Sequence, residues 1–417
     1  MELTKARVNP IHRVALVIDY SLSYLGGAQS AFLDQAHALA GYGHRVTIIA
    51  PGTKDDAWVK EWGGSALPIK PAGTLPGLDL PIIRNRAGLR AQLADYLRRL
   101  HIDIVHTHSE FGLSAAAVSA ARDEDIPVVH TVHTFFWQAR LAGPVDMLGA
   151  AAVRSGINWL TRGEAALGKA TPGSGVWPNK RTDALLQEVT ASAASRADVT
   201  ISPSAHQADK LRAAGVGEVR VIPNVNTRSD FGAPLTAVEA PLRLVWVGRL
   251  VAEKRVLEFI QAIDAVVKTL GSAALTVQII GAGPLEHAAR RSAAHLPITF
   301  TGRLSREEVT QQMRAAHATV LTSFGFDNQP VTIIESVHAR RPVIVCDPQL
   351  REGLTHSGIY AAGPNPAEMA AKIVELVRDP AKLISASEAT VIDATDFDPA
   401  NHVAKLRAVY AQAELAS

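Results

Sequence analysis

Short runs of consecutive apolar residues, each followed by a stretch with helical spacing, recur along this chain and set what it can fold into. The first is Arg13-Val-Ala-Leu-Val-Ile-Asp19. A run with no polar alternation fits a strand buried on both faces, as in a parallel sheet covered by helices. After a glycine-containing loop, Phe32, Leu33, Ala36, Leu39 and Ala40 fall on one helical stripe. Gly41 and Gly43 stop that helix, and residues 45–50 make the next strand. Residues 103–107, 127–131, 198–202 and 220–223 continue the alternation. It lapses into polar, proline-punctuated sequence between Asn224 and Pro241, and Leu242-Arg-Leu-Val-Trp-Val-Gly248 restarts it. Further strands are expected at 275–280, 298–301, 319–322 and 343–346.

This rhythm predicts an α/β chain with two doubly wound parallel sheets. The expected division is residues 1–223, a linker at 224–241, a second domain at 242–395 and a final helical segment at 396–417. In that segment Val403, Leu406, Val409, Tyr410 and Ala413 form a narrow apolar stripe that should pack on a domain. A chain of 417 residues is long enough for two cores. Its formal net charge of +2 points to no broad basic surface, and no nucleic-acid partner is expected. The single cysteine, Cys346, lies in an apolar run and reads as a buried strand thiol, which excludes a disulfide framework within one chain. Only five apolar residues, 14–18, separate the basic N-terminal stretch from Asp19, too few for a signal-peptide core. With no apolar run near the ~18 residues that span a bilayer, the chain reads as soluble and cytoplasmic, able at most to touch the inner membrane surface.

Ligands of open parallel sheets bind beyond the carboxyl ends of the strands, so two such sheets suggest a cleft between facing strand ends. Gly248 and Arg249 follow a strand, and Lys254 precedes a helix expected from about Arg255. Free N–H groups at a helix start, a guanidinium fork and an ammonium together suit a diphosphate. Gly281-Ala-Gly-Pro284 is a second glycine turn that admits close backbone approach to a ligand, but it lacks the lysine of a Walker loop. Asp327 lies in a loop and Glu335 near the start of a helix, with Pro330 expected at its first position. A carboxylate can hold a vicinal diol through two hydrogen bonds, as ribose and hexoses require. Taken singly, each of these segments is equally a surface turn or a helix-terminal charge.

As a set, Gly248-Arg249 with Lys254, the Gly281–Gly283 turn, and Asp327 with Glu335 eight positions on resemble the donor domain of retaining glycosyltransferase family 4. The resemblance implies a GT-B fold: two facing Rossmann-like domains, with the last helix crossing back to the first. It implies that Arg249 and Lys254 neutralise a diphosphate, that Asp327 holds the donor sugar and that Glu335 holds the ribose. Arg303, Gln329, Pro330 and Val331 would add donor contacts. Asp327 stands where the family has Glu, which shortens the reach by about 1.5 Å. In the first half, Leu25-Gly26-Gly27-Ala28-Gln29-Ser30 resembles the glycine loop that meets the diphosphate across the cleft.

His106 and His108 straddle Thr107 on one strand face, and His130 and His133 close a neighbouring strand. The residues alone leave zinc ligation or hydrogen bonding open. The resemblance places His133 against the donor sugar and makes a metal or other cofactor unnecessary, with Gln29, His106 and His108 toward the acceptor. The Asp123–Asp125 and Asp396–Asp398 triplets read as solvated charges. The implied reaction moves a hexose from a UDP- or GDP-linked donor to a sugar, lipid-linked, cell-envelope or small-molecule acceptor, by front-face attack with retention, giving an α-glycoside. A nucleotide-sugar epimerase of the same fold and a non-catalytic sugar-nucleotide-binding module are the alternatives. Residues 135–181 depart most from the family and carry a net charge of +4 among apolar residues that include Trp137, Leu141 and Trp159. They suit either a hairpin folded on its own domain or a partner, or an anionic membrane interface.

Overall fold

The computed structural model describes residues 11–23, 26–75, 80–135 and 143–416. Tyr24 and Leu25 of the first glycine loop, and Trp137, Arg140 and Leu141 of the basic apolar segment, lie outside the described residues. The chain forms two compact units. One runs to Thr227 and takes in the stretch from Pro399 onward; the other spans Arg228–Asp398.

The first unit is built on a seven-stranded parallel sheet. Its strands are β1 (Arg13–Val17), β2 (Arg45–Pro51), β3 (Ala66–Ile69), β4 (Ile104–Thr107), β5 (Val128–Thr131), β6 (Val199–Ser202) and β7 (Val219–Val221). Their order is β3-β2-β1-β4-β5-β6-β7, so the direction of winding reverses between β1 and β4. Successive β1 residues supply two separate cores. Val14 and Leu16 join Phe32, Leu39 and Tyr410 on one face, while Ala15 and Val17 join Leu93, Leu97 and Leu113 on the other. Burial on both faces is why these strands carry unbroken apolar runs. The helix Gly27–Gly41 is buried more widely than a single stripe: Asp34 and Gln35 are inside, and Ala40 is exposed. It shares its core with the last helix, Pro399–Ala416, whose Val403, Leu406, Val409, Tyr410 and Ala413 are all buried.

The second unit repeats the plan with β8 (Leu242–Val247), β9 (Leu275–Ile280), β10 (Ile298–Gly302), β11 (Ala318–Leu321), β12 (Val343–Val345) and β13 (Gly358–Tyr360). Their order is β10-β9-β8-β11-β12-β13, again all parallel. The edge strands β3 and β13 escape a reading of apolar runs. Pro68 interrupts one, and both are only partly buried, as edge strands are. The 224–241 stretch is not a free linker along its whole length. Leu235 is buried in the second unit's core, and the Gly232 N–H donates to the His338 carbonyl (2.9 Å). At the other boundary, Phe397 packs in the second unit, so residues 396–398 do not belong to the last helix.

A carboxylate distant in sequence completes the helix Gly112–Asp123. Its N-cap residue, Phe111, offers no side-chain bond. Asp19, at the carboxyl end of β1, accepts from the N–H groups of Leu113 (2.7 Å), Ser114 (3.2 Å) and Phe111 (3.2 Å) and from Ser109 Oγ (2.8 Å). These are the donors a helix start leaves unsatisfied. Asp19→Ala would strand them in the interior and is expected to cost about 3 kcal/mol, the scale of hydrogen bonds to a buried charge. Urea unfolding measures this directly, and a loss under about 1 kcal/mol would mean the loop finds other acceptors.

Candidate functional site

In the second unit the strand order reverses between β8 and β11, and a crevice for ligands is expected beyond their carboxyl ends. Gly248, Arg249 and Lys254 follow β8, while Ser323 and Asp327 follow β11. Trp246 Nε1 donates to Thr322 Oγ1 (2.9 Å), and the Thr322 hydroxyl donates to the Lys254 carbonyl (2.7 Å). That chain of bonds ties one loop to the other. Lys254 Nζ lies 2.5 and 2.7 Å from the two Asp327 oxygens. Ser323 Oγ donates to the same carboxylate, and the ammonium sits 5.7 Å from the Phe326 ring centre. Asp347 holds the turn from behind by accepting the Gly325 N–H (2.7 Å).

Lys254 and Asp327, expected to meet different parts of a donor, are thus joined to each other. Arg249 is exposed, as is Arg303. The helix after Lys254 runs Val256–Leu270 and has no side-chain cap; Arg255, at φ +55°, stands just outside it. Its first N–H groups and positive dipole end are therefore available to an anion. Pro330 is extended (ψ 128°) and is the N-cap of the helix Val331–His338, one position earlier than a first-turn proline. Gln329 and Pro330 are buried, Val331 is half-buried, and Glu335 lies 3.5 Å from Arg306 Nε.

The glycine turn after β9 also has a packing reason. A Cβ on Gly281 would stand 1.9 Å from the Gly248 carbonyl oxygen, and one on Gly283 would stand 2.6 Å from that of Leu250. Leu250 N–H donates to the Ala282 carbonyl (3.1 Å). These glycines let the β9 turn press against the Gly248–Leu250 backbone, so they shape the Arg249 loop.

In the first unit the corresponding reversal lies between β1 and β4. Gly26 is the N-cap and Gly27 the first residue of an uncapped fifteen-residue helix, and Gln29 is half-buried. His106 and His108 lie on the face covered by that helix, their rings stacked at 4.4 Å. His108 Nδ1 lies 2.9 Å from His133 Nε2. His130 is not part of this group. It pairs in register with Thr107, bonds its hydroxyl at 2.8 Å and faces the opposite side of the sheet. There it lines, with Glu110, Ser109 and Arg196, a cavity of about 20 Å³, room for one water. Burial, reinforced by the Asp19 charge, pushes Glu110 up to about 8.

His106 and His108 are only 0% and 1% exposed, which corrects the expectation that they meet an acceptor. They support His133, which is half-buried. Burial, then the neighbouring histidines, holds both well below the usual imidazole range; burial alone brings His133 to about 4. All three rings are therefore neutral near pH 7. Sequence reasoning missed Gln35, whose side-chain amide lies 3.3 Å from both His106 and His108, and His402, which joins Gln35 from the last helix. A glutamine inside the stripe of Phe32, Ala36 and Leu39 was the available signal. Cys346 is buried with its thiol pushed up to about 11, and Asp396 accepts the Gly353 N–H (3.1 Å).

Comparison with known proteins agrees with this architecture. A family model described as Glycosyltransferase Family 4 matches residues 25–225, and one described as Glycosyl transferases group 1 matches residues 241–379. The chain is 27% identical over 305 residues to a glycogen synthase of Mycobacterium tuberculosis, covering 71% of this chain and 65% of that one. It is 25% identical over 126 residues to an alpha-monoglucosyldiacylglycerol synthase of Acholeplasma laidlawii, 30% of each chain. A phosphatidyl-myo-inositol mannosyltransferase of Mycolicibacterium smegmatis is 31% identical over 127 residues, 29% of this chain and 31% of that one. The match thus spans between 30% and 65% of the length of these three relatives. Among solved structures, HepE of Anabaena in complex with UDP superposes with a TM-score of 0.68 at 16% identity, covering 95% of this chain and 99% of that one. TarM superposes with a TM-score of 0.68 at 11% identity, covering 96% and 99%. Two parallel-sheet Rossmann-like units, a last helix returned to the first of them, and two adjoining matches that together span most of the sequence lead to one conclusion: the chain belongs to glycosyltransferase family 4 and has the GT-B fold.

Proposed function

We propose that this chain is a glycosyltransferase that moves a hexose from a UDP- or GDP-linked donor to an acceptor with retention, forming an α-glycoside without a bound divalent metal. The observation that carries the reading is the set of cations at the β8–β11 switch point of the second unit. There Arg249 is exposed beside an uncapped helix start, and Lys254 is held in place by Asp327. An ammonium has three N–H donors, and the two Asp327 contacts leave one for a phosphate oxygen. Two cations and a helix N-terminus offset the charge that develops on a departing diphosphate, which is the main electrostatic demand of such a transfer. The relatives named for glucosyl and mannosyl transfer, and the fold shared with a UDP complex, support this class of donor. Lipid terms in two of the relatives' names support a lipid-linked acceptor.

Release of UDP or GDP from a panel of UDP- and GDP-hexoses, with and without candidate acceptors, tests the reading. Each charge-assisted bond is worth about 1.5–3 kcal/mol, so Lys254→Ala should lower kcat/KM at least about tenfold. Turnover should survive exhaustive EDTA. Near-normal transfer by the Arg249→Ala, Lys254→Ala double variant, or loss with EDTA and recovery with magnesium, would overturn the respective assignment.

The reading gives His133 a part in the chemical step as a neutral imidazole. Since burial lowers it to about 4, it gains a proton only as pH falls through that value. The kcat profile should therefore stay level from about pH 7.5 to about pH 5. An acidic limb near the ordinary histidine value of about 6.5 would show His133 to be solvated.

The helix Gly143–Thr161 suits an acceptor at a membrane surface. It buries Ile157 and Leu160 and leaves Val145, Leu148 and Trp159 at 57%, 67% and 50% exposed. One face of this helix is thus core and the other is open. Arg84 stacks 5.0 Å over the Trp159 ring, an arrangement of aromatic and cation suited to anionic headgroups. None of the described helices is long and apolar enough to cross a membrane. Sedimentation should show enrichment on anionic over neutral vesicles that fades with salt and is lost in Leu148→Ser, Trp159→Ser. No enrichment at low salt would assign the chain a non-membrane acceptor.

A further inference from the structure

The polar groups behind His133 form one line from the last helix to the imidazole. His402 Nδ1 lies 2.9 Å from the Pro223 carbonyl oxygen, and its Nε2 lies 3.3 Å from the Gln35 amide. The other end of that amide lies 3.3 Å from His106 Nδ1 and 3.3 Å from His108 Nε2. His108 Nδ1 then lies 2.9 Å from His133 Nε2. Gln35, His106, His108 and His402 are all buried, so water does not intervene as an alternative partner.

The donors and acceptors along this line can be assigned in turn. A carbonyl oxygen only accepts, so His402 carries a proton on Nδ1. Burial lowers His402 to about 4, so it is neutral near pH 7 and its Nε2 bears a lone pair. The group that meets that lone pair must donate, and on Gln35 only the amide nitrogen does. The amide nitrogen and oxygen exchange places by a half-turn that leaves the heavy-atom distances almost unchanged, so the assignment follows from the network. With nitrogen toward His402, the Gln35 oxygen faces His108, which must donate from Nε2. A neutral His108 then has its lone pair on Nδ1, and His133 must donate to it from Nε2. His106 fits the same arrangement with its proton on Nδ1, shared between the Gln35 oxygen and the Tyr410 hydroxyl oxygen (3.0 Å), while its Nε2 accepts from the Thr131 hydroxyl (2.8 Å). With the amide reversed, two lone pairs would oppose each other at His402, and His133 would carry its proton on Nδ1 instead.

We propose that His402 and Gln35 are positioning residues which, through His108, fix His133 as the Nε2–H tautomer with its lone pair on Nδ1. In that form His133 accepts a hydroxyl hydrogen at Nδ1 and cannot donate one from it. A wrong tautomer at such a position disables an imidazole without disturbing the fold. The chemical consequence rests on the transfer reaction proposed above; the tautomer itself does not.

The test is the tautomer of His133 in the full-length protein labelled with 15N-histidine, read from long-range 1H–15N correlations and assigned by the signals lost in His133→Asn. The wild type should show a protonated Nε2 and a lone-pair Nδ1. Gln35→Met and His402→Phe, checked for folding by circular dichroism and thermal unfolding, should lose that fixed form. Tyr410→Phe, which removes only the bond to His106, should keep it. A wild-type Nδ1–H form would overturn the proposal, as would a His133 tautomer unchanged in whichever of Gln35→Met and His402→Phe is folded. Where donor turnover is measurable, Gln35→Met should lower kcat about tenfold or more at unchanged donor KM, and the reverse split would also overturn the positioning role. Absence of turnover with every donor would defeat the transfer reading and leave the spectroscopic result to decide this one.

Discussion

Burial of the interior parallel strands on both faces is the constraint from which the rest of this structure follows. Alternate residues of β1 enter two different cores, so charge has little place within the sheet. Polar chemistry collects where the strands end. In the second unit that is Gly248–Lys254 after β8 and Ser323–Asp327 after β11; in the first it is Asp19 after β1 and His108–Glu110 after β4. Strand order then decides which ends become neighbours. Because winding reverses beside the first strand of each unit, loops nearly seventy residues or more apart in sequence meet there.

Carboxylates at these ends and elsewhere organise the chain around them. Asp19 caps a helix that begins some ninety residues later. Asp146 does the same for the helix Arg181–Ala194 through the N–H groups of Arg181 (2.7 Å) and Thr182 (3.0 Å). Asp327 holds Lys254, with Ser323 bracing it. Aspartate in place of glutamate suits this arrangement, since a shorter side chain keeps its carboxylate close to its own loop. The residue expected to hold a sugar is thus the one that fixes the Lys254 ammonium.

Much of the architecture was legible because apolar runs and helical stripes report burial directly. The interior strands, the restart at Leu242 and the buried face of the last helix all follow from that pattern. Edge strands β3 and β13 did not, because a half-buried strand needs no continuous apolar run. The glycines at 281 and 283 were visible, but their reason was not; a turn pressed on another strand and a turn open to a ligand read alike in sequence. The histidines were visible too, yet their grouping was not. His130 left the group because register puts it with Thr107 on the other face, and His402 entered it from nearly three hundred residues away.

What the sequence determined by itself was therefore the class of fold, its two-part plan and the residue types gathered at the strand ends, since these depend on local periodicity and on short motifs. Tertiary structure alone decided which of those residues touch. The ion pair of Lys254 with Asp327, the cap supplied by Asp19, and the line from His402 through Gln35 and His108 to His133 each join segments remote in the chain. A hydrogen bond or ion pair depends on a separation of about 3 Å, and that separation is fixed only when both cores have closed around it.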